Sequence, residues 1–522
     1  MKYIFILIVA LLIGLAVYII YKDNKSKESG VDSKVAEARI SPEINIGITG
    51  FDTINPFLSK NKDVQYLSKL IYRSLMRIAP DFKIQNDLAE EWSKLTDATY
   101  LIKLKNDIAW SDGSKFTAGD VKFTIDSVKN FQGDSIYKDN VKDIANVEII
   151  DDYTIKIYLN NAVPFFEYML SFPMLSANDY DGNTLESKTG SPVSMGDYTV
   201  SSISNDLIVL QKNENLTSLK KPDNPNSIKT ININLYDSAA ALYSNLKRGN
   251  IDFINTSNID YETYIGIIGF SSSISPDREF DYIAVNTKNA VLSQKEVREA
   301  VNYAIDKQNI VQNIYNNKYL ASNFPLDNGS YLYDKENQSY SADKVKSVLG
   351  SNGWVYKNSM WQKSNYTLNF NLIVEADNKN RVLAAQNIQQ QLGAAGININ
   401  VIQVSSGDYQ NYIKNKNYDL LLTGDVMPLS PDLSSYFGAD NLFNYDNAEI
   451  GSILGEVDDI QDAALLKEKY KRIAEIYDDE LPFISLYFSP NISIASPDIK
   501  GVLDHNWNDV FYNINSWYKM SK

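Results

Sequence analysis

The sequence predicts an α/β protein with a largely parallel sheet. From Tyr366 to Leu422 strand and helix patterns alternate as β-α-β-α-β, an order that requires right-handed crossovers between parallel strands. Two Ser/Thr-x-x-acid motifs, Thr117–Asp120 and Ser293–Glu296, each precede apolar residues at helical spacing and read as capping boxes. Hydrophobic residues make up 44% and charged residues 22% of the 522, an ordinary globular composition in a chain long enough for two or three domains.

The elements follow in chain order. Tyr3 to Tyr21 is apolar and uncharged, and as a helix it would span roughly 28 Å, close to the ~30 Å hydrocarbon core of a bilayer. Lys2 supplies the basic start of a signal peptide, but the cleavage candidates are poor. Gly14-Leu15-Ala16 would leave a greasy new N-terminus, and Ala36-Glu37-Ala38 lies far beyond the run. Residues 1–21 are therefore read as a retained transmembrane anchor, or an uncleaved signal, and 22–42 as a polar tether. Lysines flank both sides of the run (Lys2; Lys22, Lys25, Lys27), so charge does not orient it.

Alternating isoleucines make Glu43–Gly50 a half-buried strand, and Tyr100–Leu104 alternates likewise. Trp110-Ser111-Asp112-Gly113 is a turn, and the helix after Thr117 presents Val121, Ile125 and Val128 on one face. Asp237–Arg248 reads as a helix stopped by Gly249, ahead of the strand Ile251–Ile254. Phe280–Val285 is a strand, and the helix after Ser293 carries Val297, Val301, Ala304 and Ile305. In the β-α-β-α-β region the strand Tyr366–Val374 precedes a helix with Val382, Ile388 and Leu392, for which Gly396 supplies a left-handed C-cap. The strand Ile397–Val404, a short helix around Tyr409–Ile413 and the strand Tyr418–Leu422 complete it. Ligands of such sheets bind beyond the carboxyl ends of the strands, where Thr423-Gly424-Asp425 stands here.

Composition excludes several functions. A net charge of −15 argues against nucleic acid, whose phosphates demand a basic face. No cysteine means no disulfide, no thiolate metal site and no cysteine nucleophile. His505 is the single histidine, which removes histidine-cluster metal sites, and it reads as a surface or satisfied residue. No G-x-S-x-G elbow is present, so neither catalysis nor a cofactor is expected.

Seven segments in consistent order carry a resemblance: ITGFDTINP (48–56), LAEEW (88–92), LIKLKNDIAWSDGSKFTAGDVKF (101–123), MGDYTV (195–200), LKRGNIDFI (246–254), AVNTKNAVLSQKEVREAVNYAIDKQNIV (284–311) and LPFISLYFS (481–489). Over roughly 44 to 522 the chain resembles the peptide-binding proteins of oligopeptide and dipeptide ABC importers, family 5 of the extracellular solute-binding proteins. The resemblance implies a periplasmic-binding-protein type fold with two lobes and three domains that closes on its ligand. Domain I would comprise 43–75, 191–283 and 488–522, domain II 76–190 and domain III 284–487. It implies a monomer outside the cell, of Gram-positive type, that binds peptide by β-augmentation and delivers it to ABC permease subunits without chemistry of its own.

In the family an acidic residue near the end of a domain III strand pairs with the ligand ammonium. Asp425 matches it, with Asp432 as the competing acid and a plain capping role as the other reading. Leu422, Thr423 and Gly424 would offer backbone groups to one side of the peptide and Ile48, Thr49 and Gly50 to the other, unless both are structural loops. Two departures stand out. The loop DVMPLSPDL after the strand is longer than the usual version, and the lipid-bearing cysteine of Gram-positive members is missing, which leaves Tyr3–Tyr21 as the anchor. The same fold could instead take a sugar or another solute, or serve as a sensor of signalling peptides. An extracellular hydrolase is the reading from another class.

Overall fold

A computed structural model describes residues 40–188, 190–214, 226–266, 269–326, 329–333, 340–501 and 505–521. The apolar run and most of the tether lie outside them, and among the described residues no helix is long and apolar enough to cross a membrane.

Among the described residues the largest sheet has eleven strands. Ten form a continuous path: β1 (Glu43–Thr49), β2 (Tyr198–Ile203), β3 (Leu207–Lys212), β4 (Thr230–Tyr236), β5 (Phe253–Thr256), β6 (Ser271–Val285), β7 (Asn369–Glu375), β8 (Asn398–Val404), β9 (Leu420–Val426) and β10 (Phe483–Ala495), in the spatial order β8-β7-β9-β6-β10-β5-β1-β4-β3-β2. The expected parallel pairing holds for β8-β7-β9 and again for β5-β1-β4. Between these blocks β9, β6, β10 and β5 pair antiparallel, so the sheet is mixed rather than largely parallel. One block belongs to each lobe, and β6 and β10 run through both.

The lobes have separate apolar cores. One surrounds β1, β4 and a four-stranded antiparallel sheet (Ala89–Thr96, Thr99–Leu104, Thr154–Leu159, Ile144–Asp151), against which the helix Ala118–Asn130 packs. The other surrounds β7, β9, β6 and β10 together with helices α1 and α2, which span Lys379–Ala394 and Ala463–Glu480. Every residue of β10 is buried, as a strand covered on both faces must be.

Local signals fare well where the chemistry is local. Thr117 and Asp120 form the reciprocal capping box, Ser238 caps the helix Ala239–Arg248, and Gly249 and Gly396 are left-handed at φ 76° and 82°. The second box is a correction. The helix begins at Lys295 after an extended Gln294, and Ser293 Oγ donates to the Ala290 carbonyl instead of capping. The strand expected at Tyr366–Val374 is interrupted at Leu368, and the last strand extends past Leu422 to Val426. His505 is buried, so it is not a surface histidine.

Candidate functional site

A cleft of about 630 Å³ lies between the lobes, within the range of small-ligand sites. Its floor begins with two prolines. Pro276 of β6 faces Pro490 of β10, and neither can donate a ladder hydrogen bond. Pairing resumes at Phe280 opposite Phe488, so Asp277-Arg278-Glu279 bulges out opposite the single residue Ser489. All three bulged residues line the cleft.

One wall comes from the helix Lys62–Ile71, whose N-cap Asn61 accepts from the Asp63 N–H. Lys62, Tyr66 and Lys69 stand at helical spacing on the cleft side, while Leu67, Leu70 and Ile71 face the core. Lys62 pairs with Asp277 across the cleft. Among the described residues Lys69 has one weak contact, 3.4 Å to the Ser171 carbonyl, and burial pulls its ammonium below the usual lysine range. The opposite wall is the end of β9 and its loop, Val426, Pro428 and Leu429. Val426 is 64% exposed, so an apolar side chain stands ready for a ligand. Four cationic side chains (Lys62, Lys69, Lys142, Arg278) are balanced by four anionic ones (Asp139, Asp143, Asp277, Glu279).

The residues named from sequence fall around this cleft rather than in its lining. Asp425 is exposed and lies opposite Phe280 in the ladder, within β9 rather than beyond it; its Oδ2 accepts from the Tyr282 hydroxyl at 2.6 Å. Leu422 is fully buried, and its carbonyl accepts from the Tyr409 hydroxyl at 3.0 Å. Thr423 is buried too. Gly424 has a steric reason: a Cβ there would sit 2.1 Å from Asp281 Oδ1 and 2.2 Å from Arg381 Nη2, the atoms of a bidentate ion pair at 2.6 and 3.1 Å. Ile48 is buried, and Asn61 Nδ2 donates to the carbonyls of Thr49 (2.8 Å) and Gly50 (2.6 Å). Asp432 accepts from the Ser434 N–H and hydroxyl, a local turn.

Along β9, β6 pairs with Leu420 to Val426 on one side, while on the other β7 pairs only with Leu420 and Leu421, so among the described residues Leu422 to Val426 have no strand partner on that second side. Sequence reading missed the Lys62–Tyr66–Lys69 face, Arg278 and Trp507. The first was open to a period-3.6 reading; Arg278 depends on a bulge made by prolines far apart in sequence, and Trp507 comes to its guanidinium from near the C-terminus.

A second set of contacts joins the lobes. Lys94 Nζ donates to Asp458 and Asp459 at 2.6 Å each, and Asp458 also accepts the Phe165 N–H. Phe165 is left-handed at φ 54° and packs in the β9 lobe, while its neighbour Phe166 packs in the other. Beside them burial pushes the Glu167 carboxyl up to about 7.

Residues 83–444 match the family model described as bacterial extracellular solute-binding proteins, family 5 middle. The oligopeptide-binding protein AppA of Bacillus subtilis is 23% identical over 525 residues, covering 95% of both chains. Heme-binding protein A of Haemophilus influenzae is 25% identical over 393 residues, 71% of this chain and 70% of that one. Among solved structures, the unliganded open form of the periplasmic murein tripeptide binding protein MppA superposes with a TM-score of 0.80 at 16% identity, covering 92% of this chain and 98% of that one.

Proposed function

Because the chain belongs to the bacterial extracellular solute-binding proteins, family 5, the substrate-binding components of ABC importers, we propose that its own cargo is peptide, captured between the lobes and passed to a permease. The observation that carries this reading is the unpaired edge of β9 beside a charge-balanced cleft. An extended peptide can add to such an edge through its main chain, and a zwitterion suits a wall of equal positive and negative charge. Asp425 is the proposed partner of the peptide ammonium, its carboxylate oriented by Tyr282. Thr423 and Gly424 would supply backbone contacts, with Leu422 limited by its bond to Tyr409. Thr49 and Gly50 support the helix Lys62–Ile71 through Asn61 and would act on the ligand through it, with Ile48 buried in the strand behind them. In this reading the segments 43–75, 191–283 and 488–522, then 76–190, then 284–487 form the three domains, and Tyr3–Tyr21 holds the body at the outer face of the membrane.

The test is thermal stability of the full chain in mild detergent with peptides of two to nine residues and with sugars. A ligand at 100 times its Kd adds roughly 2.7 kcal/mol. Peptides should stabilise and sugars should not; the reverse result refutes peptide as cargo. N-acetylated peptides and Asp425→Asn should each weaken binding by about tenfold or more, and full affinity in both cases would remove Asp425 from the site.

A further inference from the structure

Apart from the cargo cleft, and sharing no lining residue with it, a second cavity of about 430 Å³ opens where the lobes meet. Its volume falls inside the ~300–1,000 Å³ range of small-ligand sites. The walls come from both lobes: Trp92 and Tyr100 pack in one core, and Phe165, Tyr168 and Leu466 in the other. With Tyr331, five aromatic rings line the space, and such faces attract organic cations.

The charges around it are unbalanced. Five carboxylates (Glu90, Glu91, Glu167, Asp458, Asp459) face two lysines, Lys83 and Lys94. Lys94 is already taken by Asp458 and Asp459, and Glu91 is held from outside by Lys103 at 2.9 Å. Lys83 stands 5.9 Å from the centroid of the Tyr331 ring. Glu167 is left without an ion pair among the described residues. Burial raises its carboxyl to about 7, and Asp458 adds to the rise that its own N–H and Lys94 only partly offset.

A second observation is independent of the acids. Tyr100 lies directly opposite Lys94 in the ladder between Ala89–Thr96 and Thr99–Leu104, so both side chains stand on one face. Tyr100 is 1% exposed, yet its hydroxyl has no hydrogen-bond partner among the described residues. Burial pushes that phenol above its usual range, and the charges of Asp458 and Glu167 push it further, which sets the hydroxyl among the acids of this cavity. A buried hydroxyl and a buried carboxylate, both short of donors, are what an ammonium with three N–H groups can satisfy. Among the described residues no three acidic side chains are grouped to hold a metal ion, which favours an organic cation.

We infer that this cavity is a second ligand site, distinct from the cargo cleft, for an organic ammonium with an aromatic or apolar body: Glu167 and the Tyr100 hydroxyl oxygen bind the ammonium, and the rings of Trp92, Phe165 and Tyr168 receive the body. An occupant bridges the lobes beside the Lys94 cluster. The site does not depend on what the cargo is.

The experiment is calorimetric titration of the full chain in mild detergent at pH 8, where Glu167 is ionised, with phenethylammonium, phenethyl alcohol and phenylacetate. The three probes carry one ring with a cationic, a neutral or an anionic end. Phenethylammonium should bind about tenfold or more tightly than the other two, and Glu167→Gln should erase the preference. Tyr100→Phe removes only the orphaned oxygen. It should weaken ammonium binding by about three- to tenfold while leaving Tm unchanged or raised, whereas loss of a structurally bonded hydroxyl would lower Tm. Equal affinity for the three probes, or no binding by any, overturns the site. So does ammonium binding that survives Glu167→Gln and is lost in Asp425→Asn, which would place the probe in the cargo cleft. Should Glu167→Gln not fold, Tyr100→Phe decides: unchanged ammonium affinity in that variant overturns the site.

Discussion

Replacing Gly424 with alanine sets one methyl group against a buried ion pair. The added Cβ would lie 2.1 Å from Asp281 Oδ1, 2.2 Å from Arg381 Nη2 and 3.0 Å from the Phe280 carbonyl, so carboxylate and guanidinium must both give way. Asp281 is 7% exposed, and the pair holds the α1 face onto β6 and β9. Parting a buried pair costs about 3–5 kcal/mol, because each ion is left desolvated without its partner. At ~2.1 cal/mol/K per residue, roughly 480 folded residues carry an unfolding entropy of about 1 kcal/mol/K. Gly424→Ala should therefore lower Tm by about 3–5 °C in scanning calorimetry. The same change in an Asp281→Ala/Arg381→Ala background should cost under about 1 kcal/mol. A drop of less than about 1 °C in the wild-type background would refute the steric argument and reopen a ligand-contact explanation for this glycine.

Lys94→Met should loosen the contact between the lobes, since Asp458 and Asp459 lose their shared cation at a site where the lysine side chain is 13% exposed. A longer cross-lobe distance by pulsed EPR and a loss of about 1–3 kcal/mol are expected; an unchanged distance distribution means the ion cluster does not hold the lobes together. Stability should also fall as pH rises. Native Glu167 titrates at about 7 and native Asp63 at about 6, both raised first by burial, so the folded chain keeps protons that the unfolded chain has released. The contribution is complete below about pH 4 and is lost through pH 6 to 7. Glu167→Gln should flatten the upper part of that slope in pH-dependent urea titrations, and an unaltered slope would assign it to another group.

Much of the lobe built on β7, β8 and β9 is legible because its causes are local. Gly396 ends a helix whose apolar face is spelled out by Val382, Ile388 and Leu392, and strands with alternating isoleucines follow. The mixed centre of the sheet is not legible, because β6 and β10 are about 200 residues apart and nothing near either one encodes their pairing. Asp425 lies within the strand although Gly and Asp are poor strand formers, because pairing of Gly424 with Asp281 and of Asp425 with Phe280 carries the ladder through them. The cleft is the hardest part to read. DVMPLSPDL is evidently a loop, but its role depends on Pro276 and Pro490 meeting face to face.

The order in which the large sheet is stitched has a consequence for biogenesis. β1 needs β4, about 180 residues later, and β10 arrives about 430 residues after β1. At ~5–20 residues per second, β1 waits roughly 10–40 s for its first neighbour, and the sheet stays open for roughly 20–90 s. Until β4 emerges the isoleucine-rich edge of β1 is unpaired and open to wrong partners, and until β10 emerges β5 and β6 lack the strand that joins them. The nascent chain therefore needs to be kept apart from its copies until its last tenth has been made.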